Sequence, residues 1–473
     1  MKHLIWYKND LRVKDHKPLF EASKKGEVLA VYCFDPRHFQ QTPYGFPKTD
    51  SFRAKFLIES VRNLRKNLRK LGGELIIRTG KPEDILPEIV KEAGIDRIHT
   101  YKEIISEEKS VLASVEDSVD CKLVTYWGNS LYHLDDLPFE IYSIPDVFTQ
   151  FRKGVEKKSD VRYEIKTPEK IKAITFTDSG EIPSLEDLGL NSFTPDQRSV
   201  LEFEGGEVEA RKRLNHYFWE TDELQQYKYK RNGLLGADYS SKLSPWLAHG
   251  CISPVSVYHE VQRYETDRSK NVSTYWLIFE LIWRDYFRFS ALKYGNRIFH
   301  LGGIQDKKLQ KFTEPEVFQK WAHGQTGIPF IDANMRELNN TGYMSNRGRQ
   351  NVASFLAQNL DYDWRLGAAY FESKLIDYDV QSNWGNWAYN ATVGHDPRNR
   401  YFNIINQAKK YDKKGEYIRY WLPELENLTK EFVHEPWKMT PDQQTLFEVE
   451  IGKDYPKAMI DLEDSYEEIK NRD

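Results

Sequence analysis

Val28-Leu29-Ala30-Val31-Tyr32, then a helical run over 51–71 closed by Gly72-Gly73, then Leu75-Ile76-Ile77 set the fold of the first part of the chain. The first run is apolar throughout and reads as a strand buried on both faces. Within 51–71, Leu57, Val61, Leu64, Leu68 and Leu71 recur at four- and three-residue steps and share one helical face. The paired glycines stop that helix. Working outward, Leu4-Ile5-Trp6-Tyr7 is an earlier strand. Pro82 opens a helix through Ala93, since proline suits a first helical turn. Residues 97–101 and 122–126 supply two more strands. This alternation predicts an α/β domain over 1–133, a Rossmann-like parallel sheet covered on both faces. Ligands of such sheets gather at the carboxyl ends of the strands. No G-x-G-x-x-G follows the first strand, where Lys8-Asn9-Asp10-Leu11-Arg12 stands instead. The domain is thus equally compatible with a small cofactor and with a purely structural sheet.

Residues 134–200 lose the rhythm and are rich in Pro, Lys, Asp and Ser, as in Ser179-Gly180-Glu181-Ile182-Pro183-Ser184. They read as a long connection over the surface. From 201 to 473 no strand pattern returns, and an all-helical domain is expected. Its helices are placed at 207–219, 273–294, 329–339, 345–359 and 364–375. Ser244-Pro245 and Ser253-Pro254 each read as an N-cap with proline at the first helical position.

At 473 residues two domains are expected. The 68 basic and 72 acidic residues leave a net charge of −4, which excludes a globally basic nucleic-acid binder but not a local basic rim. Three cysteines, Cys33, Cys121 and Cys251, form no CxxC pair, which argues against a metal or disulfide framework and for a reducing, cytoplasmic compartment. No apolar run of about 18 residues occurs, so no membrane span is expected.

The chemistry concentrates between Tyr343 and Tyr389, where arginines, carboxylates, amides and tryptophans interleave. The pattern suits a pocket for a large aromatic ligand and equally a helical core with buried polar networks. Asp238-Tyr239-Ser240-Ser241-Lys242-Leu243-Ser244 precedes a helix start and reads as a phosphate site or a capped loop. Glu280, Trp283 and Arg284 fall at i, i+3 and i+4 on one helix face. Arg349 with Asp377 and Asp379 is either a charge-tuning pair beside a ring system or a buried ion pair. No H-E-x-x-H, Walker loop or serine triad stands out, so zinc, kinase-type and hydrolytic chemistry lack support. The residues alone reach a nucleotide-type cofactor in a helical domain, which would carry the chemistry itself.

Several long ordered motifs go further. They are Trp6-Tyr7-Lys8-Asn9-Asp10-Leu11-Arg12, Tyr239-Ser240-Ser241-Lys242-Leu243-Ser244-Pro245-Trp246-Leu247-Ala248, and Tyr275-Trp276-Leu277-Ile278-Phe279-Glu280-Leu281-Ile282-Trp283-Arg284-Asp285. Thr341-Gly342-Tyr343-Met344-Ser345-Asn346-Arg347-Gly348-Arg349 and Asp377-Tyr378-Asp379 with Ser382-Asn383-Trp384-Gly385-Asn386-Trp387 complete the set. With these the chain resembles the photolyase/cryptochrome family over nearly its full length, and within it the DASH cryptochromes most closely. The resemblance implies FAD held in the helical domain. Tyr227, Ser240, Ser241, Lys242, Leu243 and Ser244 would lie on the phosphate side. Glu280, Trp283 and Arg284 would stand between flavin and substrate. Arg349 and Asp377 would flank the isoalloxazine, Asp379 would reach ring and ribose, and Asn383 would face N5. Glu103 is similar to a glutamate that contacts a 5,10-methenyltetrahydrofolate antenna.

The implied activity is light-driven splitting of cyclobutane pyrimidine dimers, mainly in single-stranded DNA, by a monomer. Glu280, Asn346 and Asn383 would act at the reacting centre, and Trp364 and Trp387 would relay electrons to the flavin. Trp283, Arg284, Asn346, Arg347 and Tyr389 would meet the DNA. A blue-light photoreceptor without repair turnover is the alternative. Two features depart or decide. Lys311 occupies the place of the family's outer relay tryptophan, and no histidine lies between Met344 and Gln350, which disfavours (6-4) repair.

Overall fold

The computed structural model describes residues 1–395 and 401–472. Its first unit runs β1 (Lys2–Tyr7), α1 (Lys17–Lys25), β2 (Glu27–Phe34), α2 (Ser51–Lys70), β3 (Leu75–Thr79), α3 (Pro82–Ala93), β4 (Arg97–Tyr101), α4 (Ser106–Ser118) and β5 (Lys122–Tyr126). The five strands are parallel in the order β3-β2-β1-β4-β5, with Trp6 opposite Val31 and Leu4 opposite Ile98. Successive strand residues serve opposite faces. Leu4, Trp6, Leu29 and Val31 pack with Leu86, Ile89 and Val90 of α3. Ile5, Tyr7, Val28, Ala30 and Tyr32 pack with Leu57, Val61, Leu64 and Leu68 of α2 in a core that continues into the helical unit. Both faces are covered, as the uninterrupted apolar strands require.

The expected surface connection needs correcting in its middle. Residues 148–158 form a helix, α5 (Phe148–Lys158), and Phe148, Phe151 and Val155 on its inner face are buried. Their three- and four-residue steps are a helical signature that the surrounding lysines obscure. Ile171 is buried too, and Ala173 bridges Val28 at the sheet. The segment is therefore partly core.

The helical unit follows with α6 (Glu207–Asn215), α7 (Tyr227–Lys230), α8 (Ser244–Ala248), α9 (Pro254–Asp267), α10 (Val272–Tyr294), α11 (Pro315–Ala322), α12 (Pro329–Thr341), α13 (Asn346–Ser354), α14 (Trp364–Lys374) and α15 (Val380–Asn390). The helices expected at 207–219 and 345–359 each end in a wider π turn, His216–Glu220 and Phe355–Asn359. Ser253 caps α9, its hydroxyl accepting from the Ser256 amide at 2.9 Å. Ser244 does not cap α8. It is the helix's first residue, and its hydroxyl donates to Asp377 Oδ2 at 2.6 Å. The two units are clamped by Asp285 of α10, whose oxygens accept from the Leu131 and Tyr132 amides at 2.9 and 2.8 Å. Burial outweighs those bonds and raises its carboxyl to about 6.

Candidate functional site

The helical unit holds a cavity of about 370 Å³. That volume lies in the usual range for a ligand site. One wall is α10, where Leu277, Glu280, Leu281 and Arg284 fall at helical steps and line it together with Trp283. The α7 segment contributes Tyr227 and Arg231, the loop into α8 contributes Ser241, Leu243 and Ser244, α13 contributes Asn346 and Arg349, and the approach to α15 contributes Asp377 and Asp379. Tyr389 closes one side. Gly385 lets α15 come this near to α10, because a Cβ there would stand 2.3 Å from Phe287. Asn383 and Trp387 line an adjoining recess that shares Arg349, Asp377 and Asp379 with the main cavity.

The polar groups are fixed by one another. Arg349 donates to Asp377 Oδ2 at 2.9 Å and to the Met344 carbonyl at 2.9 Å. Burial opposes the Arg349 charge and the Asp377 carboxylate outweighs it. Asp377 Oδ2 also takes the Ser244 hydroxyl, while Asp377 Oδ1 is buried without a partner. An orphaned buried carboxylate oxygen is costly unless a ligand answers it. Arg284 donates to the Asn129 carbonyl and stands 3.6 Å from Asp379 Oδ2. Asp379 caps α15 by accepting from the Ser382 amide at 2.9 Å. Asn383 donates to the Ala368 carbonyl at 3.0 Å. Glu280 pairs with Arg231 at 2.6 Å, a partner the sequence reading did not identify. Burial raises the Glu280 carboxyl, and Arg231 opposes the shift.

Three expected site residues lie elsewhere. The Lys242 side chain turns inward, its backbone at φ 52° and its ammonium 3.1 Å from the centroid of the Tyr239 ring. Burial holds that amine well below the usual lysine range. Ser240 is not part of the cavity wall, although Ser241 is. Arg347 sits outside the wall, donating to Gln407 and Asn232 at 3.2 and 3.1 Å with its guanidinium over Tyr411.

Trp364 and Trp387 are buried, as large aromatic core residues. Trp387 meets Trp321 edge-on at 6.0 Å, and Trp364 meets Trp384 at 5.8 Å. Trp384 is half-buried. Lys311 is held by Asp361 and by the Ala357 carbonyl. Phe148 of α5 lies flat on Trp283, centroids 3.6 Å apart, so the connection helps build the cavity wall.

A second, smaller crevice of about 70 Å³ lies where β1 and β4 end. It is lined by Lys8, Asp10, Glu103 and Glu108 from the α/β unit and by Arg284, Arg288 and Gln381 from the helical unit. Lys8 pairs with Glu103 at 2.6 Å. Burial, then the nearby Glu103, pushes the Glu108 carboxyl up to about 7. Among the described residues no group of three or more His, Cys, Asp or Glu could hold a metal ion, and no helix is long and apolar enough to cross a membrane.

Residues 3–171 match the DNA photolyase family and residues 276–472 match the FAD binding domain of DNA photolyase. Cryptochrome DASH of Gloeobacter violaceus is 52% identical over 97% of this chain and 93% of its own length. The chain belongs to the photolyase/cryptochrome family, on its cryptochrome DASH branch. The solved Synechocystis cryptochrome superimposes with a TM-score of 0.97 at 48% identity, covering 100% of this chain and 99% of the other. A bacterial class III photolyase from Agrobacterium tumefaciens superimposes with a TM-score of 0.84 at 26% identity, covering 99% and 98%. The α/β unit and the helical FAD-binding unit are those of this family. The cavity's aromatic wall, the Arg349–Asp377 pair and the orphaned Asp377 oxygen suit a flavin nucleotide.

Proposed function

We propose that this DASH cryptochrome is a photolyase for cyclobutane pyrimidine dimers in single-stranded DNA. The supporting observation is the two-sidedness of the cavity. Asp377 and Asn383 in its lining are buried, whereas Glu280, Trp283 and Tyr389 are half-buried and Asn346 is exposed. FAD, when bound, supplies light absorption and a one-electron donor that is regenerated when the dimer has split. Arg349 and Asp377 hold the ring system and tune its charge. Tyr227, Ser241, Leu243 and Ser244 hold the phosphate side. Trp283 and Tyr389 offer rings against which extruded bases stack, and extrusion is least costly for damaged or unpaired bases. Because burial raises its carboxyl, Glu280 keeps a proton to higher pH than an exposed glutamate does, and the protonated form donates a hydrogen bond to a base carbonyl. Trp387 and Trp364 carry electrons inward, and Trp384, in contact with Trp364 and half-buried, takes the outer place that Lys311 cannot serve. The crevice around Glu103 is the position for a folate antenna. Cytoplasmic location and a monomeric state belong to the same reading. The test is dimer content in ultraviolet-irradiated oligothymidine after blue light with reduced protein. Light-dependent loss supports the proposal. Full FAD occupancy with no loss in single strands leaves a photoreceptor instead.

A further inference from the structure

On α10, one turn before Glu280, Trp276 stands outside the cavity wall and only half-buried. Phe279, which lines the cavity, stacks on it with centroids 4.6 Å apart and planes 22° from parallel. Two cations from the α7 segment lie over the same indole, Lys228 at 4.4 Å and Arg231 at 5.7 Å from its centroid. Arg231 is itself a cavity residue tied to Glu280. Lys228 is different. Its ammonium has no carboxylate partner among the described residues, whereas the neighbouring Lys230 is paired with Glu223 at 2.7 Å. Between them Tyr229 is 69% exposed. An aromatic ring stacked on a cavity residue and covered by the paired Arg231 and the unpaired Lys228 combines the two elements that single-strand sites use: a base platform and a phosphate contact.

We propose that Trp276 and Lys228 form a station for the nucleotide next to the dimer, outside the cavity. The flanking base stacks on Trp276. Lys228, displaced from the ring, exchanges a cation–π contact for the flanking phosphate. The station rests on the proposed repair of single-stranded DNA and adds a preference for lesions embedded in a strand over isolated dinucleotides.

The experiment compares the FAD-loaded protein with Trp276→Leu, Trp276→Phe and Lys228→Ala. Each is titrated with a dimer-containing oligothymidine of about eight nucleotides, within the footprint of one single-strand site, and with the isolated dimer dinucleotide. The expected result is that Trp276→Leu weakens the longer strand roughly tenfold, as loss of one base stack does. Trp276→Phe, which keeps a ring, restores most of this, and neither changes dinucleotide affinity. Lys228→Ala reduces the slope of log affinity against log salt by about 0.7, one single-strand phosphate contact, for the longer strand alone. Equal weakening of strand and dinucleotide overturns the station, because it marks a disturbed cavity. An unchanged strand affinity in Trp276→Leu and Lys228→Ala overturns it as well. Either of these with light-driven splitting intact leaves the repair reading standing. Loss of splitting in the unmodified protein removes the repair reading itself.

Discussion

The cavity of the helical unit and the crevice at the ends of β1 and β4 use the same vocabulary, a carboxylate paired with a cation, yet they are built for different work. In the cavity the Arg349–Asp377 pair lies along one wall, and Ser244 and the Met344 carbonyl fix both members. About 370 Å³ remains in front of it. In the crevice the Lys8–Glu103 pair sits within a space of about 70 Å³, and the opposite side belongs to the other unit through Arg284, Arg288 and Gln381. The cavity is therefore preorganised inside one unit and needs only its ligand. The crevice must part its ion pair, or its two units, to admit anything. Preorganisation lowers the cost of binding, so the cavity is the better prepared of the two to hold a ligand.

Removing the cavity's cation should break this comparison most forcefully. Arg349→Ala strands a buried carboxylate, a loss of roughly 3–5 kcal/mol. The expected outcome is protein purified without flavin absorbance, whereas Glu103→Gln retains it. Next comes the clamp between the two units. Asp285→Ala leaves the Leu131 and Tyr132 amides without their acceptors, at about 1–3 kcal/mol per orphaned group. A lowered Tm is expected, with FAD retained below it, since Asp285 does not line the cavity.

A smaller effect concerns electron supply. Trp384→Phe removes a ring that is readily oxidised but keeps the contact with Trp364, so photoreduction of the flavin should slow several-fold in transient absorption while dimer splitting by chemically reduced protein is unchanged. An unaltered photoreduction rate denies Trp384 the outer place. The smallest effect is on the crevice's pH response. Glu108, at about 7 against an ordinary 4.5, holds a proton when folded that it loses when unfolded. Its contribution to stability is full below pH 4.5 and fades as pH rises through 7. Glu108→Gln should therefore flatten the dependence of unfolding free energy on pH across this window, measured by denaturant titration.

Much of the fold was legible because it obeys simple periods. Strand residues 4–7 and 28–32 are apolar without interruption and are buried on both faces, and α2 carries its leucines at helical steps. Glu280, Trp283 and Arg284 were readable as neighbours for the same reason, and all three line the cavity. Lys242 was not, because its direction depends on a left-handed backbone at φ 52° that nothing in its residue type announces. Arg231 was missed because its contact with Glu280 joins positions far apart in the chain. The inner face of α5 was hidden by composition, since Lys and Glu around Phe148, Phe151 and Val155 outvoted a short apolar stripe. Trp384 was visible as a letter in a motif, but only packing against Trp364 gives it a use.

The central claim, that repair occurs in the helical cavity and the crevice is accessory, is tested most directly by one measurement. Dimer splitting per absorbed photon is followed in irradiated oligothymidine under direct flavin excitation, with the native protein, Glu280→Ala and Glu103→Gln side by side at equal FAD content. The account expects native and Glu103→Gln protein to split dimers equally and Glu280→Ala to fall roughly tenfold, on the order of one lost hydrogen bond to a buried group. Equal yields in native and Glu280→Ala protein, or a loss confined to Glu103→Gln, would contradict it.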